Sequence, residues 1–310
     1  GEPGLAALCR SLLQTSKDPL PHLERISNLV YQDLKGKVQH NARHRFETLL
    51  PEDDISLFRP DLLEQSERYF SATLFYKDFD DRIQANQSDL YNNVIFYTPG
   101  RGCPFDCTFC GGSRRSQERL CGRKKPFFFA KKWIVRDLLN AARLGIQTLR
   151  LSFDPDPKRT LYHEIFAELA AHGTQFRLIF DCWTLPDRAF VQRVKQCFAP
   201  DSLLVLSPDA ADEKIRRLNK PHPAHDFSNR DLQATLEIMR DTEMAGHVFF
   251  GAGLPFEQTT HLEETRTLAL QIYKMGFNVS ILPLDCDPGS TVFTDPPLYG
   301  VRLEARTLAD

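Results

Sequence analysis

Three cysteines within eight residues carry the most specific chemistry in this chain. Cys103, Cys107 and Cys110 stand in Pro99-Gly-Arg-Gly-Cys-Pro-Phe-Asp-Cys-Thr-Phe-Cys-Gly-Gly, a CxxxCxxC spacing. Thiolates so spaced can converge on one centre, and they suit zinc or an iron–sulfur cluster. Structural zinc normally wants a fourth Cys or His at a comparable spacing. No His lies between 103 and 121, and the next cysteine is Cys121. Three protein ligands on a four-iron cluster leave one iron open to a substrate or cofactor, which would make the site catalytic. A non-catalytic zinc loop remains the alternative. The other cysteines, Cys9, Cys121, Cys182, Cys197 and Cys286, are scattered. This is too sparse for a disulfide scaffold and reads as a reducing, cytoplasmic protein with one metal or redox site. Cys182, Cys197 and Cys286 read as small buried hydrophobes, with a reactive thiol among them as the alternative.

The cysteine segment follows a strand directly. Apolar runs at 93–98, 148–153, 175–180, 202–207, 247–251 and 278–284, rich in Val, Ile, Leu and Phe and without a polar face, suit a buried parallel sheet. Between them lie stripes at helical spacing: Val135, Leu138, Leu139 and Ala142; Tyr162, Ile165, Phe166 and Leu169; Phe190, Val191 and Val194; Leu268, Ile272 and Met275. Ser228 and Asp231 form a capping box, and Gly145, Gly173, Gly246 and Gly276 close helices. Six strands alternating with helices give a parallel α/β fold, either a doubly wound sheet or a partial barrel. In both, the loops at strand C-terminal ends hold the active site.

The CxxxCxxC loop after the first strand, with an aromatic before its last Cys, resembles the signature of the radical S-adenosylmethionine (SAM) superfamily. That resemblance implies a partial (β/α)6 TIM-like barrel, a [4Fe–4S] cluster on Cys103, Cys107 and Cys110, and SAM bound to the open iron. Phe109 would then pack near the adenine. Ser152-Phe-Asp154-Pro155 looks like the family's Gly-Gly-Glu-Pro segment, which implies Asp154 as a contact of the SAM amino group; both glycines are missing and Asp replaces Glu. Leu206-Ser207-Pro-Asp209, followed by Leu218-Asn219-Lys220, resembles the fourth strand of a branch that includes methylthiotransferases and cobalamin-dependent enzymes. It implies ribose contacts from Ser207 and Asp209, although the usual strand end there is Glu-Ser-Gly. Gly251-Ala-Gly253-Leu-Pro-Phe256-Glu257 resembles Gly-Leu-Pro-Gly-Glu-Thr, with Gly251 and Gly253 beside the nucleoside and Phe256 in place of a glycine. Asp287-Pro-Gly-Ser resembles the Pro-Gly-Thr after the sixth strand. Together these pieces cover about residues 91–300, in the family's order.

The same resemblance divides the chain into residues 1–90, 91–300 as the radical SAM core, and 301–310 as the start of a further segment. Residues 1–90 look like the tail of an upstream Rossmann-like, cobalamin-binding domain plus a linker, the chain opening Gly-Glu-Pro-Gly rather than with Met. It implies a small-molecule or peptide substrate, an electron donor such as flavodoxin or ferredoxin, and cobalamin-dependent methyl transfer, with a methylthiotransferase or tRNA-modifying enzyme as the runner-up. The bulk numbers fit a globular protein: 42% apolar residues, 26% charged and a formal net charge of −2 over 310 residues. That balance points to neither a basic nucleic-acid surface nor a polybasic membrane patch, and no apolar run reaches the ~20 residues of a membrane span. The basic stretch from Arg114 to Lys125 reads as a solvated loop, Phe127-Phe128-Phe129 as packing, and His222 and His225 as surface histidines, with substrate contact as the alternative.

Overall fold

The computed structural model describes residues 2–14, 23–42, 56, 58–66 and 94–303. Most of residues 43–93, within the tail and linker read at 1–90, and all but the first residues of the 301–310 segment lie outside them. The chain divides into two units, Gly1–Leu50 and Pro51–Asp310. In the first, helix α1 (Glu2–Gln14) precedes an antiparallel hairpin of β1 (Val30–Gln32) and β2 (Val38–His40). The Asp33 carboxylate closes the turn by accepting the Lys35 and Lys37 amides, both at 2.9 Å. β1 begins only at Val30, because Asn28 takes a left-handed φ of 64° and Ile26 is buried in the turn before it.

The second unit is built on six strands: β3 (Val94–Tyr97), β6 (Thr148–Leu151), β7 (Arg177–Cys182), β8 (Leu203–Asp209), β9 (Ala245–Ala252) and β10 (Asn278–Pro283). They lie side by side in chain order, and every pairing is parallel. A doubly wound sheet reverses its strand order at a switch point. This sheet has no reversal, so it is singly wound: a partial barrel, not closed, since β3 and β10 are not paired with each other among the described residues. Helices α3 (Lys131–Arg143), α4 (Thr160–Ala171), α5 (Arg188–Cys197), α6 (Glu213–Asn219), α7 (Asn229–Asp241) and α8 (Thr259–Lys274) supply the crossovers. Their starts are chemically marked. Asp187 caps α5 and Asp212 caps α6, and Ser228 with Asp231 forms the expected box on α7. No helix among the described residues is long and apolar enough to cross a membrane.

The strands' outward residues make the core. Leu149, Leu151, Leu178, Phe180, Leu204, Leu206, Val248 and Phe250 are fully buried. Phe180, Phe166 and Phe190 meet largely edge-on, with Phe180 and Phe190 centroids 5.0 Å apart. Burying each such side chain contributes about 1.5–3 kcal/mol. The inward residues are different. Arg150, Ser152, Asp181, Ser207 and His247 alternate with apolar neighbours and line a cavity. The runs therefore do have a polar face, and it is the barrel's interior.

One further element shapes the site. After β3, a short antiparallel ribbon pairs β4 (Gly100–Arg101) with β5 (Phe127–Phe128), and the cysteine segment and helix α2 (Arg114–Cys121) lie between them. Phe128 packs edge-on against Phe153 and Tyr162, as the packing role of the Phe run anticipates. A Cβ on Gly100 would stand 2.3 Å from the Phe127 carbonyl and 2.4 Å from the Phe153 ring. Gly100→Ala is expected to destabilise the fold by about 1–3 kcal/mol through overpacking, read as a lower urea midpoint.

Candidate active site

The cysteine segment crosses the sheet's C-terminal rim and is held by distant parts of the chain. Thr108, between Cys107 and Phe109, donates its amide to the Asn219 carbonyl (2.9 Å) and its hydroxyl to the Asn219 side-chain oxygen (2.7 Å). Its carbonyl accepts the Val292 amide and the Thr291 hydroxyl, both at 3.0 Å, from helix α9 (Thr291–Thr294). Asp287 accepts the Gly111 amide at 3.0 Å. Asn219, nearly fully buried, also donates to the Ile215 and Pro255 carbonyls, so it ties the segment to α6 and to the turn after β9. Phe105 anchors the segment's start, its ring 4.2 Å from that of His225 and 6.0 Å from that of Trp183.

Cys103, Cys107 and Cys110 all line the mouth of one cavity of about 1080 Å³, which continues down the barrel's inner face. All eight cysteines are free thiols. Burial pushes the Cys103 thiol up to about 11 and the Cys107 thiol up to about 12, and it raises Cys110 as well. The amides of Phe105 and Gly112 point at the sulfurs of Cys103 and Cys110, at 3.4 and 3.3 Å. The Lys220 ammonium favours the thiolate form of all three. Among the described residues, no three His, Cys, Asp or Glu side chains converge where a single metal ion would sit. Zinc binds sulfur at about 2.3 Å and would need its thiolates almost in contact. A four-iron cluster takes each thiolate on a different iron, and three thiols carried on one loop, two of them met by backbone N–H groups, are a donor set that fits such a group.

The other residues singled out in the sequence divide into two groups. Phe109, Ser207 and Asp209 line the same cavity as the cysteines. Phe109 packs on a shelf of Ala210, Ile215 and Leu254. Asp209 pairs with the Lys220 ammonium, which also donates to the Ser207 carbonyl at 2.7 Å. Asp154, Gly251 and Gly253 do not line it. Asp154 is fully buried, paired with Arg159 at 2.7 Å and accepting the Trp183 amide at 2.9 Å. Arg159, five residues on in the sequence, was the signal that this acid faces an internal partner. Ser152 lines the cavity instead. Gly253 has a φ of 87°, and its amide donates to Glu257 at 2.7 Å. Phe256, standing where the resemblance has glycine, sits at a φ of 65°, a conformation that favours glycine.

Two further readings change. His225 is not on the surface: it is buried in the cavity wall, hydrogen-bonded to the Trp183 carbonyl at 2.9 Å. Burial, aided by Lys220, pushes it down to about 3, so it is neutral. The basic stretch is largely engaged. Arg114 and Arg115 pair with Asp106, Arg114 and Lys124 with Glu118, and Arg119 donates to the Gly289 carbonyl at 2.7 Å. These arginines brace the cysteine segment from outside.

No family model matches the chain, and no curated protein matches it. Solved structures overlap part of its path. Methylornithine synthase, PylB, aligns at 13% identity over 75% of this chain and 64% of its own, with a TM-score of 0.48. The radical S-adenosylmethionine methyltransferase TsrM from Kitasatospora setae aligns at 12% identity over 58% and 34%, with a TM-score of 0.49. The FeFe-hydrogenase maturase HydG from Carboxydothermus hydrogenoformans aligns at 15% identity over 68% and 49%, with a TM-score of 0.49. The chain thus spans less than two thirds of each of these proteins. Overlaps this distant assign no residue a role.

Two substitutions separate bracing from chemistry. Arg159→Met strands the Asp154 carboxylate in the interior and is expected to cost about 3–5 kcal/mol in urea unfolding. Asn219→Ala leaves the Thr108 hydroxyl and the Pro255 carbonyl without their partner. It is expected to cost about 1–3 kcal/mol per stranded group, by the same measurement.

Proposed function

We propose that this chain is a radical SAM enzyme, with Cys103, Cys107 and Cys110 as the protein ligands of a [4Fe–4S] cluster. The observation that carries the proposal is the placement of three thiols. They sit on one braced loop, at the C-terminal rim of a singly wound parallel sheet and at the mouth of a cavity running into the barrel. Bound there, the cluster would supply one electron for reductive cleavage of SAM to methionine and a 5′-deoxyadenosyl radical, which abstracts hydrogen from a substrate.

The chain's own residues would do the rest. The Phe105 and Gly112 amides and the Lys220 ammonium offset negative charge on the sulfurs. Phe109, backed by Ala210, Ile215 and Leu254, offers an apolar face to the adenine. Ser207 and Asp209 stand on the rim within the same cavity, available to a ribose. Phe105, Trp183 and neutral His225 wall the mouth with aromatic surface, which lowers the local dielectric and keeps water from a reactive radical. The electron must come from an external one-electron donor of the flavodoxin or ferredoxin kind. Cobalamin-dependent methylation and methylthio transfer rest on the resemblance alone.

Anaerobic reconstitution is expected to give a brown protein with about four iron per chain and absorbance near 400 nm. With dithionite and SAM it should form 5′-deoxyadenosine. Cys103→Ser, Cys107→Ser and Cys110→Ser should each lose the iron, the colour and the product. Stoichiometric zinc in a colourless protein would overturn the proposal in favour of a zinc-binding loop.

A further inference from the structure

The cavity has a second polar centre, away from the cysteines, on the barrel's inner wall. There β6 contributes Arg150, with Ser152 just beyond its end, β7 contributes Asp181, β9 His247 and β10 Ser280. The Asp181 carboxylate accepts Nε and Nη2 of Arg150 at 3.1–3.2 Å, and the Ser152 hydroxyl donates to the same carboxylate. The Arg150 guanidinium also lies 5.2 Å from the centroid of the Phe96 ring. His247 hydrogen-bonds Ser280 at 3.0 Å through Nε2. Burial and the nearby Arg150 hold its imidazole below the ordinary range, with Asp181 opposing, so it is neutral at pH 7.

The surrounding wall is apolar, formed by Ile179, Leu203, Val205, Phe249 and Val279. A barrel does not need an ion pair at such positions. Replacing a buried pair with apolar residues is often neutral or stabilising by about 1–4 kcal/mol. The Arg150 and Asp181 side chains keep only 17% and 20% of their exposure, and what they keep opens into the cavity. A convergent polar group in an apolar pocket is the usual form of a ligand anchor. Its net charge narrows the ligand: one cation beside one anion, with a neutral imidazole, gives no net attraction for a phosphate or a polyanion. It matches a molecule that carries a carboxylate and an ammonium on one carbon atom. The size of the cavity, about 1080 Å³, slightly exceeds the range of a pocket for one drug-sized ligand, about 300–1,000 Å³. There is room for a cofactor at the cysteines and a small second molecule below it.

We propose that Arg150 and Asp181 anchor the substrate, and that the substrate is a free α-amino acid. Its carboxylate lies on Arg150, its ammonium on Asp181, and its side chain points toward the cysteine rim. This rests on the radical SAM reading for its reaction, but not for its binding. The test is anaerobic calorimetry on the reconstituted protein with SAM present, titrating the twenty protein L-amino acids. For each amino acid that binds, the decarboxylated amine and the acid lacking the amino group follow. At least one amino acid should bind, and both analogues should bind at least about tenfold more weakly, as loss of a charge-assisted contact requires. Arg150→Met and Asp181→Asn should weaken binding by a similar factor while keeping iron content and the absorbance near 400 nm. Ser152→Ala, which leaves the ion pair in place, guards against misfolding of the other two and should weaken binding by only about threefold. The proposal falls if no amino acid binds to protein that carries its cluster and cleaves SAM. It also falls if either analogue binds as well as the amino acid, or if both charge variants bind normally. Amino acid binding by a colourless zinc protein would instead overturn the radical SAM reading and leave the anchor standing.

Discussion

Thr108 uses every polar group it has, and the cysteine loop keeps its shape because of that. Its amide and hydroxyl reach Asn219, 111 residues on, and its carbonyl reaches Thr291, 183 residues on. A loop with three glycines and three thiols has no core of its own to hold it. It borrows rigidity from the end of α6 and from the segment after β10, the last strand of the sheet. Such contacts close long stretches of chain and can form only once most of the sheet is assembled. The proposed ligand set is therefore a product of tertiary folding, not of the local motif.

The singly wound sheet accounts for the rest of the layout. Parallel strands in chain order put every C-terminal end on one rim, so the loops after β3, β6, β8, β9 and β10 crowd the same opening. Alternation along each strand sends one set of side chains out to the helices and the other into a shared interior. The outward set is uniformly apolar because it is the core. The inward set is free to vary, and here it carries Arg150, Asp181 and His247 among apolar neighbours. Stability and chemistry are assigned to opposite faces of the same six strands.

Much of this is legible in the sequence, for local reasons. Strands β3 and β6 to β9 show as apolar runs because their outward faces are buried, β10 as one although it is part-exposed at the sheet's edge, and the CxxxCxxC loop shows as a spacing. Strand order is not legible, since the same runs can build a doubly wound sheet. Burial of charge is hard to read as well. Asp154 ends a strand like an active-site acid, but Arg159, Trp183 and the interior claim it. His225 lies in a Pro-containing polar stretch that suggests surface, whereas ring contacts with Phe105 draw it inside. The inward polar residues escape notice because each is a single interruption in an apolar run. Arg150 within Leu149–Leu151 and His247 before Val248 become a group only when the strands are set side by side. Gly251 and Gly253 look like nucleoside contacts, yet neither lines the cavity: Gly251 lies within β9, and Gly253 takes a left-handed φ in the turn that follows.

The burial of the three thiols makes loading of this loop an acid–base event. Cys103, Cys107 and Cys110 are all held above the usual thiol range, so at neutral pH the empty loop keeps its sulfurs protonated and uncharged. A thiol must shed its proton to become a metal ligand. If the loop takes the proposed cluster, filling it would release up to three protons, and occupancy would be favoured as the medium becomes more alkaline. The same burial that would shelter a filled loop from water holds the empty one's thiols in their protonated, weakly nucleophilic form.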